Sequence, residues 1–111
     1  SLVKYDHTLT SGSNTIPDET GDNSIAANSS EFGVSSSDSG NTIGLWSPTS
    51  CSTGGTTSTA YALSTSFQSY ASNTVGVANE QTTLCFMAAI TGTQAPGTYT
   101  STATLVTTGR F

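Results

Sequence analysis

The chain has 111 residues, of which 19 are Ser, 22 are Thr and 11 are Gly, while the net charge is −5 with only Lys4 and Arg110 on the basic side. Two cations cannot neutralise a phosphate backbone, which excludes a nucleic-acid binder. The shortage of Leu, Glu and Lys excludes a helical bundle, and no apolar run approaches the ~20 residues of a membrane-spanning helix.

The apolar share of 33% is low, but disordered chains combine low hydrophobicity with high charge, and only 8% of these residues are charged. Thr, the aromatic residues and Gly favour strands and turns instead. The length suits one domain spanning 1–111 with a modest core. The chain opens on Ser1, with no initiator Met, signal peptide or targeting tail, and reads as a processed product or a trimmed fragment.

In chain order, Ser1–His7 alternates around Leu2, Val3 and Tyr5 and predicts a strand. Ser11–Asn14 and Pro17–Asn23 are rich in turn formers, with Ile16 as an apolar anchor between them. Glu31–Ser36 predicts a short strand, and Asp38–Asn41 a turn. Thr42–Trp46 reads as a strand ended by Pro48, and Ser47–Thr59 as a low-complexity loop. Ala60–Phe67 and Thr74–Ala78 read as two further strands. No stretch has the 3.6-residue apolar period of a helix.

The last third carries the clearest pattern. Gln81–Thr91 places Leu84, Phe86, Ala88 and Ile90 on one face, with Thr83, Cys85, Met87 and Ala89 on the other. After the loop Gly92–Gly97, Thr98–Phe111 alternates Tyr99, Ala103, Leu105 and Phe111 against a row of threonines. The expectation is a hairpin of two long strands, the second longer than the usual ~17–20 Å. With turn signals every ten or so residues, the chain predicts an all-β antiparallel sandwich of about seven to eight strands and almost no helix.

The two cysteines, Cys51 and Cys85, predict one disulfide and an oxidising compartment. Alternation puts Cys85 opposite Leu84 and Phe86, so the bond should pin the loop Ser47–Thr59 across the outer face of the sheet.

Few residues suggest chemistry. Asp6 and His7 invite comparison with a Ser-His-Asp triad, but a nucleophile motif is absent and strand neighbours point to opposite faces. Asp18, Glu19, Asp22 and Asn23 form a candidate calcium loop with hard oxygen donors, although the spacing is not that of an EF-hand. No other metal site and no cofactor is expected. Lys4 is either a snorkelling surface residue or a partner for a covalent Lys–Asn bond. Asn28-Ser29-Ser30 fits an N-glycosylation acceptor, and the Ser/Thr tracts could carry O-glycans. Trp46, Tyr61, Tyr70 and Tyr99 are candidates for a sugar-stacking platform, or else core residues.

Thr8–Ile16 (TLTSGSNTI, then Pro17) and Gly92–Phe111 (GTQAPGTYTSTATLVTTGRF) resemble β-rich cell-surface modules in secreted proteins of candidate-phylum bacteria. The terminal strand is also similar to those of spore coat U-type and other secreted pilin-like proteins. The resemblance covers both ends of the chain, and Ser24–Asn79 only loosely. It implies an extracellular, structural, non-enzymatic protein with an Ig-like or pilin-like sandwich. In those modules further strands precede the LTSGSNTI stretch, so the fold is expected to be completed between chains. Either terminal segment, Ser1–His7 or Thr98–Phe111, can supply the strand to a neighbouring copy; Ser1–His7 is the favoured donor, with Leu2, Val3 and Tyr5 on the assembly strand.

The sequence therefore predicts a structural subunit of an extracellular filament or cell-surface layer whose main partner is itself, a homo-polymer. A surface adhesin or carbohydrate-binding module with a glycan partner is the alternative. Neither nucleic acid nor a membrane span is expected.

Overall fold

A computed structural model describes residues 1–37, 57–76, 78, 79 and 81–109. The expected strand Thr42–Trp46 and Cys51 lie outside the described residues. Nine strands are found among the described residues: β1 (Leu2–Tyr5), β2 (Leu9–Ser11), β3 (Asn14–Ile16), β4 (Ser24–Ala26), β5 (Glu31–Ser37), β6 (Thr57–Thr59), β7 (Gln68–Ser69), β8 (Thr83–Ala89) and β9 (Ala103–Val106). They form small antiparallel sheets in the orders β7-β1-β9, β2-β3, β4-β6 and β5-β8. No helix occurs among the described residues, so the chain is all-β there.

The expected C-terminal hairpin does not form. β8 pairs with β5, and β9 pairs with β1. The pattern of Gly92–Gly97 reads as a hairpin turn, but its side chains tie it elsewhere. Gln94 donates from Nε2 to the Tyr99 hydroxyl at 2.7 Å and to the Thr15 carbonyl at 3.3 Å, while its Oε1 accepts from Ser30 at 2.9 Å. The Tyr99 hydroxyl donates to the Ala95 carbonyl at 2.8 Å. The loop is thus an arch that carries the chain from one sheet to another. Regular pairing of the last strand is also shorter than expected, covering Ala103–Val106, with a bridge at Thr100 to Thr10.

Ser11–Asn14 is a tight hairpin turn, with Gly12 at φ 61°, where a side chain would be strained. It lets Leu9 pair with Ile16, which is the expected anchor and is buried. Tyr61 makes only a single bridge, to Val34, within the expected strand Ala60–Phe67, and β7 begins just beyond that stretch. Thr74–Gly76 forms no strand and Val75 is exposed.

β5 is the central strand of its layer. Phe32, Val34, Ser35 and Ser36 are all buried, so both of its faces are covered. β8 lies along one edge, and Tyr61 and Asp18 bridge to the other through Val34 and Phe32. Phe32 and Val34 join Val3, Tyr5, Ile16, Leu63, Tyr70 and Ala71 in one apolar cluster, which packs β1 against β5. Each such side chain contributes ~1.5–3 kcal/mol when fully buried. Over the opposite face of β5 lie Ile25 of β4 and Ala60, both near Gly33.

Candidate functional site

The acidic loop closes on itself. Glu19 is buried, and its Oε1 accepts from the backbone N–H groups of Gly21 (2.6 Å) and Asn23 (2.8 Å). Asp22 Oδ1 accepts from the Ser24 N–H at 3.0 Å, and Asp18 Oδ2 accepts from the Tyr5 hydroxyl. Asn23 sits at φ 59°, a conformation that Asn tolerates. These carboxylates are spent on turn geometry and on Tyr5. No group of three or more His, Cys, Asp or Glu that could hold a metal ion is found among the described residues.

Asp6 and His7 do meet, contrary to the expectation from strand alternation, because the chain bends after β1. His7 Nε2 lies 3.4 Å from Asp6 Oδ2. Ser101 joins them, yet in the wrong order for a triad: its hydroxyl donates to the His7 carbonyl at 2.5 Å and lies 3.2 Å from Asp6 Oδ1. A triad places the imidazole between hydroxyl and carboxylate. Asp6 Oδ1 also accepts from the Thr102 N–H at 2.8 Å, so this carboxylate is a clasp between the end of β1 and the approach to β9. The Thr102 N–H, above all, holds its pKa below the ordinary 3.8.

The described tyrosines do not form a platform. Tyr70 is buried in the core, and Tyr61 and Tyr99 pack against it; Trp46 lies outside the described residues. Lys4 sits over the Phe67 ring at 5.0 Å from its centroid, a cation–π contact, and pairs with no Asn among the described residues. Asn28 is exposed at φ 65° in the turn before β5. Cys85 is disulfide-bonded, and it stands across from Ser35. The face it shares with Ser35 and Gly33 is not the outer face expected, since Ile25 and Ala60 approach it.

The feature that stands apart is an open side of the molecule. Tyr61 bridges to β5, and three residues later the Ser64 carbonyl accepts from the Tyr5 N–H of β1. Three residues at ~3.3 Å span the ~10 Å between stacked layers, so this segment closes one side. β8 and β9 are the edges opposite it. Val34 and Phe32 turn their backbone groups toward Tyr61 and the Asp18 region, away from β8. Alternation then leaves the backbone groups of Leu84, Phe86 and Ala88 pointing off the free edge of β8. By the same reasoning, Ala103 and Leu105 point off the free edge of β9, since Tyr5 turns toward Ser64 and Asp6 toward Thr102.

The side chains of the same residues complete the site. Phe86 lies directly across from Val34 and stacks on Phe32, with ring centroids 6.4 Å apart. Leu105 lies directly across from Val3. Both therefore face the core side of their sheets, and yet Phe86 is 46% exposed and Leu105 51% exposed. Leu84 and Ala103 pack against the core beneath them. Phe86 and Leu105 thus stand half exposed on two strand edges whose outward backbone groups have no ladder partner among the described residues.

Sequence reasoning placed Leu84, Phe86, Ala88 and Leu105 on a buried face and missed the exposure of Phe86, Ala88 and Leu105. One signal was available: no residue from Gln81 to Gly109 is charged. Edge strands are ordinarily blunted by charges, particularly Lys, and these are not.

Comparison with protein-family models, with curated proteins and with solved structures finds no match to this chain.

Proposed function

We propose that the chain is a structural subunit of an extracellular filament or cell-surface layer, built as a β-sandwich whose copies join by β-strand addition along the open side. One observation carries this reading: among the described residues, the outer edges of β8 and β9 have no ladder partner at the positions where Phe86 and Leu105 are half exposed. A protein that stayed alone would hide such edges with charge, proline or a bulge. An added strand satisfies the backbone groups and covers the apolar side chains in one step.

Two further observations support it. The disulfide at Cys85 suits an oxidising environment. The tyrosines available for sugar stacking are committed to the core, which weakens the adhesin alternative. Leu2, Val3 and Tyr5 already serve within their own chain, between β7 and β9, with Val3 and Tyr5 buried. The edges, rather than this strand, are then the elements that meet a neighbour.

Electron microscopy and sedimentation of the purified protein over a range of concentration and salt test the proposal. Ordered assemblies that grow with concentration are expected. A monodisperse monomer under all conditions would remove its basis.

A further inference from the structure

We infer that the partner strand comes from the matching edge of a second copy: two open sides pair about a twofold axis, with β9 antiparallel to its mate. This rests on the assembly reading above and adds the partner and its geometry. Phe86 and Leu105 of both copies then line one enclosed apolar interior.

Electrostatics choose the side. Each copy carries −5, so two copies repel unless they meet where charge is absent. The described carboxylates, Asp6, Asp18, Glu19, Asp22 and Glu31, all precede β6 in the chain, while Gln81–Gly109 carries none. Exposed charges are screened beyond ~8 Å at physiological ionic strength, so an uncharged contact zone of two strands is enough to remove most of the repulsion. The same zone offers no complementary charge to an acidic or basic foreign peptide. Its match is another uncharged edge.

Backbone geometry allows that match. An antiparallel pair exchanges N–H and C=O between identical residue types across a twofold axis. Ala103 and Leu105 present those groups, and the outward neighbours Thr102 and Thr104 are exposed, their hydroxyls making no hydrogen bond among the described residues. Threonines facing each other across a ladder are a favourable pair. Asp6 sets the register, because it holds the chain at Ser101 and Thr102. Centring the axis at Thr104, with Ala103 of each copy opposite Leu105 of the other, carries the two Asp6 carboxylates to opposite ends of the contact. A twofold contact closes on itself, so pairing along the open side makes a dimer, and a filament or layer grows by joining such dimers through other surfaces.

A single nitroxide attached through Thr104→Cys, in the otherwise intact chain with its native disulfide, reads the geometry by intermolecular distance. With the axis within β9, the two labels lie no more than a few residues apart along the ladder, within about 15 Å at ~3.3 Å per residue. Repeating the measurement with Thr102→Cys should lengthen that distance by about four residues of rise, ~13 Å. Assemblies whose labels are never closer than a subunit length would overturn the twofold pairing and leave the assembly reading standing. A protein that stays monomeric at every concentration overturns both.

Discussion

Leu105 stands directly across the β1–β9 ladder from Val3, but Val3 is fully buried and Leu105 is half exposed. Two residues at one level of one sheet face thus experience different solvents, because β9 is an edge and β1 is not. A charge at Leu105 should therefore block pairing while sparing the fold. Leu105→Lys is expected to abolish self-association, with a change in unfolding free energy of about 0.5 kcal/mol or less, as for exposed sites in general. Val3→Lys buries an unpaired charge in the core and should prevent folding. Sedimentation and thermal unfolding of the two variants separate these outcomes. Undiminished assembly by Leu105→Lys would count against the β9 edge as the contact.

The same pair shows how far the sequence could be read. The sequence predicts strands over β1, β5 and β8, and alternation assigns Phe86 and Leu105 to core-facing sides, but it places Val3 on a strand donated to a neighbour rather than in this chain's own core. Alternation is a property of one strand, however, and it does not say which strand lies alongside. Gln81–Thr91 and Thr98–Phe111 resembled a hairpin because the loop between them contains Pro96 and Gly97. The partners actually chosen, β5 and β1, are fixed by long-range packing and by Gln94, whose amide reaches Ser30, Thr15 and Tyr99. Short polar strands such as β4 and β6 have little apolar signal and were invisible. Edge exposure follows from pairing, so the candidate site could not be read before the pairing was.

Tyr5 and Asp18 are joined by a hydroxyl-to-carboxylate hydrogen bond at the rim of the core. Burial, and then the hydrogen bond and charge of Asp18, push the Tyr5 pKa from 10.0 up to about 12. A raised pKa means that the folded state holds its proton where the unfolded chain releases it. The stabilisation is complete below pH 10 and is lost as the pH rises toward 12. Tyr5→Phe should cost ~1–3 kcal/mol, since the Asp18 carboxylate loses its donor while its buried Oδ1 has no partner among the described residues. It should also flatten the alkaline loss of stability. Denaturant unfolding at neutral and alkaline pH checks both expectations; an unchanged alkaline slope in Tyr5→Phe would exclude Tyr5 as its origin.

The Asp6 clasp works in the opposite direction. Its pKa is lowered from 3.8, first by the Thr102 N–H; burial, the next largest effect, opposes this, and the His7 N–H, the His7 charge and the Ser101 hydroxyl lower it further. A depressed carboxylate contributes stability that is present above its unfolded pKa and lost as the pH falls through the folded one. Local opening of the β1–β9 junction is therefore expected below about pH 3.8. Amide exchange at Thr102 should quicken there in the wild type. Asp6→Asn, which cannot titrate, should show no such step, and a step that persisted in this variant would assign the opening to another group.

Gly33 of β5 lies tightly against Ala60, Tyr61 and Ile25. An added Cβ would meet the Ala60 Cβ at 3.0 Å, the Tyr61 carbonyl oxygen at 3.1 Å and Ile25 Cδ1 at 3.4 Å. These groups belong to the layer over β5, and backbone on one side leaves little room to yield. Gly33→Ala should cost ~1–3 kcal/mol through overpacking. Gly12→Ala provides the contrast: nothing lies near its added Cβ, and its cost arises from φ 61° alone. The two costs have different remedies. Ala60→Gly removes the nearest obstacle to a Cβ at position 33, so Gly33→Ala combined with Ala60→Gly should be more stable than the sum of the single changes by ~0.5–3 kcal/mol, the range for residues in contact. Gly12→Ala combined with Ala60→Gly should simply add. Chemical denaturation of the five variants supplies the cycle, and strict additivity at Gly33 and Ala60 would show that the close approach of these layers does not limit the site.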